Sequence, residues 1–215
     1  MPQPLDDSDH LSMAFPSPLA DDVRVVLAAM KTSQLKPAEP FSVNVQGQLL
    51  VIPARLYNDE PSADAVEALS PRQLTILHCL YTRHHDGRVR QRHLECIVGS
   101  AEPWVIPYVV QLVGEYVVEI LAVIRRALSD LDMPGTTLRA AYGQFIVDNP
   151  SFFARTQRRV VSYWSCYYRF NYPSFPGYPG CTVLEFLRAV ASDRAGHPWP
   201  RLTPPAGRAN LSGYC

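Results

Sequence analysis

Seven His, Cys and Asp side chains able to bind a metal or move a proton fall between positions 78 and 96: His78, Cys79, His84, His85, Asp86, His93 and Cys96. Zinc takes about four nitrogen or sulfur ligands converging tetrahedrally. His93 and Cys96, three residues apart on a helix, supply two ligands from one face, and His84 or His85 reaches them across a turn. These four residues form the candidate zinc site. The segment holds no Cys-x-x-Cys or His-x-x-x-His pair, so its spacing constrains geometry weakly. The plainer reading is a helix end at which histidine meets the negative end of the dipole. His78 and Cys79 adjoin in sequence, but neighbours on a helix point about 100° apart and form no nucleophile and base pair.

Glu115 and Glu119 stand one helical turn apart in a segment that is otherwise nearly all apolar, with Gln111 one turn before them. Two carboxylates so placed can share a proton, act as acid and base or hold a metal, because burial and mutual repulsion separate their pKa values. The plainer reading makes Gln111, Glu115 and Glu119 the narrow solvent-facing stripe of a mostly buried helix, or pairs the carboxylates with arginines of the basic helix at 155–169. No Glu-x-x-His accompanies them, which argues against a di-metal centre.

The third constellation is basic and aromatic. Residues 155–173 read RTQRRVVSYWSCYYRFNYP. Arg155, Arg158, Arg159 and Arg169 can contact phosphates, and Tyr163, Trp164, Tyr167, Tyr168 and Phe170 can stack on bases or on the side chains of a partner. Tyr178, in the loop that follows, extends the same surface. Trp, Tyr and Arg are the residues that dominate protein interfaces. Against this stands the reading that the aromatics are core and the arginines its solvated rim. Arg83, Arg88, Arg90 and Arg92 form a second basic patch near the turn of a helical hairpin. The hairpin has the rhythm of a helix-turn-helix, but the next helix opens on Pro103, Trp104 and Val105, with neither the short polar side chains nor the wet face of a recognition helix.

The elements that must position these groups are mostly helices. Ser70, Pro71 and Gln73 make an N-cap, a proline at the first helical position and a capping box, which predicts a helix over 71–84. Asp86 and Gly87 break it, and a second helix runs over 89–98. The apolar stretch 103–128 predicts one long central helix, centred on 105–124. A shorter helix covers 137–147, another opens at Asn149 and Pro150 and runs to about 169, and Thr182 with Glu185 reads as the capping box of a last helix to about 192. Before all of these, residues 41–57 form two β-branched and aromatic runs around Gln46, Gly47 and Gln48. That is a β-hairpin, with Pro53 confining the second strand to an edge. A short helix over 23–30 precedes it.

The expected fold class is therefore mainly α, a single-domain bundle of five or six helices with an N-terminal β-hairpin and flexible tails. Residues 1–22, with four prolines and five aspartates but no Lys or Arg, read as an acidic arm, and residues 194–215 as a proline- and arginine-containing tail.

Composition sets the outer bounds. The chain has 215 residues, 47% of them hydrophobic and only 19% charged, enough for one real core. Twenty basic residues balance twenty acidic ones, which excludes a polybasic nucleic-acid packager. All the basic residues except Lys31 and Lys36 are arginine, a bias that GC-rich coding explains as readily as chemistry. Five widely spaced cysteines point to a reduced cytosol. Glu115 and Glu119 interrupt the only stretch approaching membrane-span length. No Gly-rich phosphate loop, dinucleotide fingerprint, Gly-x-Ser-x-Gly elbow or His-Glu-x-x-His is present. The sequence thus favours a non-enzymatic cytosolic module that binds a protein partner through its arginine and aromatic surface. A nucleic-acid-binding protein using the same arginines is the alternative, and a zinc protein or metalloenzyme around the His/Cys cluster the second alternative; no membrane association is expected.

Overall fold

The computed structural model describes residues 11–128 and 135–204. The mainly α reading is correct. Nine α-helices accompany one two-stranded antiparallel hairpin among the described residues. None of the helices is long and apolar enough to cross a membrane.

The hairpin pairs β1 (Phe41–Val45) with β2 (Gln48–Ile52) in the register Phe41 to Ile52 and Val45 to Gln48. Its two-residue turn has positive φ at both Gln46 (53°) and Gly47 (82°). Those angles match the right-handed strand twist. Val43, Val45, Leu50 and Ile52 point inward. Asn149 fastens the outer edge of β1: its amide accepts from Asn44 N–H at 2.7 Å and donates to the oxygens of Asn44 (2.7 Å) and Phe145 (2.8 Å). A side chain thereby completes a ladder that would otherwise end in unpaired backbone.

The helices are α1 (Ala20–Ala29), α2 (Ala63–Glu67), α3 (Pro71–Tyr81), α4 (Gly87–Ile97), α5 (Ile106–Val113), α6 (Val118–Leu128), α7 (Thr137–Asp148), α8 (Pro150–Tyr163) and α9 (Pro179–Ala195). The local signals mostly act where the sequence puts them. Ser70 accepts from Gln73 N–H while the Gln73 side chain accepts from Ser70 N–H. Asp86 caps α4 and Thr136 caps α7. Helix α5 is the hub, every one of its residues is buried, and it packs against α6, α7, α8 and α9. Helix α9 lies across α7 closely enough that a Cβ on Gly143 would stand 2.6 Å from the carbonyl oxygen of Val190.

Four expectations are corrected. The long central helix is two helices: α5 stops at Gly114 (φ −85°, ψ 24°), and the chain turns before α6 starts at Val118. Glycine is a poor interior helix residue, and the stem of Arg159 packs beside it, its Cβ at the ordinary contact distance of 3.5 Å from where a Gly114 Cβ would be. The acidic arm is shorter than expected. Residues 1–10 lie outside the described residues, but Leu11, Ala14 and Phe15 are buried, Phe15 stacks on Tyr108 at 5.5 Å, and Tyr108 donates to Ala14 O at 2.8 Å. Three apolar side chains with an aromatic slot to fill outweigh the disorder signal of the surrounding prolines. The last helix starts at Pro179 rather than at a Thr182 cap, because Gly180 packs in contact range of Val160 and Tyr178 and brings the first turn into the core. It ends at Gly196, in the left-handed conformation (φ 73°). Beyond it the chain is not loose as far as it is described. Trp199 packs on the core, Leu202 N–H donates to Gln157 and Arg201 forks onto Glu185; residues 205–215 lie outside the described residues.

Candidate functional site

Glu115 occupies the turn between α5 and α6 and is fully buried. Three arginines from other elements surround it. Arg55, on the segment that leaves β2, donates through Nη2 to Oε2 at 2.7 Å; Arg83, just past α3, donates through Nη2 to Oε1 at 3.3 Å; Arg90 of α4 places Nη2 3.8 Å from Oε2. Backbone carbonyls take further donors. Ala54 O accepts from both Arg55 Nη1 (2.8 Å) and Arg83 Nη2 (2.9 Å), and Arg90 Nη1 donates to the oxygens of His84 and His85, each at 2.8 Å. Burial alone would raise the Glu115 carboxyl, but Arg83, Arg55 and Arg90 outweigh it and hold it below its ordinary 4.5. Burial brings Arg83 down to about 10 despite the carboxylate beside it. The group is an ionised clasp joining the hairpin exit, the α3–α4 turn and the α5–α6 turn. A parallel bridge between Leu56 and His84 lies beside it.

The second arrangement is a chain of three side chains. Glu60 faces His93 Nε2 at 2.9 Å and also pairs with Arg92, and His93 Nδ1 faces His78 Nδ1 at 2.8 Å. Burial would raise Glu60, but His93 and Arg92 outweigh it and hold the carboxyl below its usual range. The protons then follow from the network. An ionised carboxylate only accepts, so His93 carries its proton on Nε2, its Nδ1 accepts, and His78 donates from Nδ1. The basic nitrogen of the chain is His78 Nε2. Burial, with His93 opposite, depresses His78 to about 4, and burial lowers His93 as well, so both rings are neutral at physiological pH. Tyr81 stacks on His93 at 5.0 Å.

These geometries rearrange the sequence-derived sites. His84, His85, His93 and Cys96 do not converge: His84 Nδ1 accepts from Asp86 N–H, His84 and His85 lie ring against ring at 4.2 Å, His93 faces His78, and Cys96 sits exposed with its thiol on Arg92 O. Among the described residues no group of three or more His, Cys, Asp or Glu side chains is arranged to hold a metal ion. Glu115 and Glu119 are likewise parted, because the break at Gly114 turns the first inward while the second stays exposed on α6; Gln111 is buried. Of the basic patch, Arg88 and Arg92 are exposed, but Arg83 and Arg90 are buried in the clasp. Local spacing could not show this, since their counter-charge stands 32 and 25 positions further along the chain. Arg55 and Glu60 carry no sequence signal of their own.

The structure divides the arginine and aromatic constellation between surface and core. After α8 the chain makes one wider π turn, Trp164–Tyr168, of a kind that tends to mark functional positions. That turn projects Tyr167 and Phe170 into solvent, 67% and 99% exposed. Tyr163 and Tyr116 continue the row at ring separations of about 6.1 Å. Arg159 lies over Tyr163 at 5.9 Å and Arg169 over Trp164 at 5.5 Å. Arg155 and Arg158 are exposed further back on α8, and no acidic residue occurs between Asp148 and Glu185. Tyr168 is half-buried against Tyr178, with its hydroxyl on Tyr116 O. Tyr178 is a correction: it is fully buried beneath Tyr168 and Tyr172 and belongs to the core. Tyr116, which joins the row from the α5–α6 turn, is visible only once that helix is known to break.

No family model matches this chain, and no curated protein or solved structure is significantly similar to it.

Proposed function

We propose that this chain is a non-enzymatic protein-interaction module that docks a partner through the ridge of Tyr116, Tyr163, Tyr167 and Phe170, with Arg159 and Arg169 as cationic flanks. The observation that carries the reading is the exposure of Phe170 and Tyr167. A phenyl ring left wholly in water gains nothing in the folded monomer, whereas burying it in an interface contributes about 1.5–3 kcal/mol. Aromatic and arginine anchors supply most of the energy of such contacts. Arg159 lies over the Tyr163 ring, and Trp164, which lies under Arg169 at the base of the ridge, donates to Tyr172 O at 2.9 Å.

Photo-crosslinking tests it. A benzophenone side chain at position 170 is expected to trap a discrete partner that the same group at position 24, on exposed α1, does not trap. In the protein that carries the benzophenone at position 170, Tyr167→Ser combined with Arg169→Ser should sharply reduce the product and leave the unfolding midpoint unchanged. Identical products from both positions would defeat the reading. The acid-free run containing Arg155, Arg158, Arg159 and Arg169 favours single-stranded nucleic acid as the second reading. It predicts anisotropy changes with labelled RNA that weaken steeply as salt is raised, which docking through aromatic rings does not.

A further inference from the structure

A cleft of about 280 Å³ opens between the β1–β2 turn, α7 and the last turn of α9. Val45, Pro103 and Phe145 make its apolar wall, and Val45 and Phe145 are part of the core. Its polar wall is a relay of three side chains. Arg194 donates through Nε to Gln144 Oε1 at 2.6 Å, and Gln144 donates through Nε2 to Asp148 Oδ1 at 2.7 Å. The Gln144 amide thus stands between two opposite charges that form no ion pair with each other. Each charge keeps half of its bonding capacity unused: among the described residues, neither Nη group of Arg194 and not Oδ2 of Asp148 has a protein partner. The two hydrogen bonds set the linked arginine and aspartate atoms at most about 8 Å apart. The turn adds Gln46 to the rim, the one non-glycine residue with positive φ (53°) among the described residues. Asn, Asp or Gly suits that place in the turn better, and a disfavoured backbone conformation kept at the mouth of a cleft is a sign of function.

We propose that this cleft binds a free α-amino acid with an apolar side chain. Its carboxylate lies on the two Nη groups of Arg194, the paired donors that fit two carboxylate oxygens. Its ammonium lies on Oδ2 of Asp148, and its side chain lies against Val45, Pro103 and Phe145. The ammonium and carboxylate of an α-amino acid, each with a hydrogen bond of about 2.8 Å, span about 8 Å, which matches the separation that Gln144 imposes. The volume stands at the small end of ligand sites, which suits a molecule of this size. The amino acid is a ligand and undergoes no reaction there. The cleft shares no residue with the aromatic ridge.

Calorimetric titration of the full chain with L-leucine, L-leucinamide and N-acetyl-L-leucine, at up to millimolar concentration and matched ionic strength, tests the assignment. Leucine should bind one to one. Leucinamide lacks the carboxylate and N-acetyl-leucine the ammonium, so each should bind about tenfold more weakly or worse. Arg194→Gln should bring leucine down to the level of leucinamide, and Asp148→Asn should bring it down to the level of N-acetyl-leucine. Both side chains are exposed, so neither substitution disturbs the core. Tyr167→Ser, on the ridge, should leave leucine binding unchanged. No saturable binding of leucine, equal binding of the three compounds, or a leucine affinity untouched by Arg194→Gln or by Asp148→Asn would each overturn the proposal.

Discussion

Replacing Glu115 with Gln keeps the shape of the side chain and deletes its charge. Arg55 can then turn to water, but Arg83 and Arg90 cannot, being 0% and 1% exposed. Two buried cations lose their only carboxylate, the situation in which breaking a buried ion pair costs about 3–5 kcal/mol. Small domains have about 5–15 kcal/mol of stability in all, so the loss is a large fraction of the total. For a chain of this length each kcal/mol moves the melting temperature by about 2–4 °C, giving an expected fall of roughly 6–20 °C. Glu115→Ala should cost more, by the cavity it leaves, and Arg55→Ala less, since that guanidinium is already partly wet. Urea denaturation of the three variants provides the assay. Because the folded carboxyl is held below its ordinary 4.5, the clasp stays intact as pH falls to that value and is lost only below it. A Glu115→Gln protein within about 1 kcal/mol of the parent would refute the claim that this carboxylate neutralises the cluster.

The histidine chain predicts a different pH window. His78 is depressed from 6.5 to about 4, so its contribution is complete above pH 6.5 and disappears progressively as pH falls from 6.5 towards 4; denaturant titrations should show that slope in the parent and a shallower one in His78→Gln, and equal slopes would discount the chain. Gly143→Ala places a methyl group 2.6 Å from Val190 O and 3.0 Å from Arg194 Cβ, so α7 and α9 must move apart. The expected cost is about 1–3 kcal/mol despite alanine's better helix propensity, read from the urea midpoint; a stabilised variant would contradict the close packing.

What the sequence discloses divides by distance along the chain. Ser70 with Gln73 and the turn at Gln46 and Gly47 are local devices whose partners lie within a few residues, and each acts where it is read; the Asp86 and Thr136 caps, which the sequence reading does not assign, are equally local. Gly114 was readable in principle, but the apolar pattern on both sides of it masks the break. The clasp was not readable at all. Arginine in sequence reads as surface, and Arg55, Arg83 and Arg90 are made interior by a carboxylate that only tertiary folding brings to them. The aromatic ridge is intermediate: the residue types were evident, whereas the π turn after Tyr163 decides that Tyr167 and Phe170 face water while Tyr178 does not.

Surface turns between helices usually accept extra residues at little thermodynamic cost. The α5–α6 turn is an exception in length tolerance. Its consecutive residues Glu115 and Tyr116 have opposite destinations, one into the arginines and the next onto the exposed row of rings. Inserting a single residue ahead of Glu115 would offer the wrong one of the two to each side, leaving the cations without their acid and the row without its first ring. The spacing from Gly114 to Val118 is therefore fixed as strictly as any residue in it.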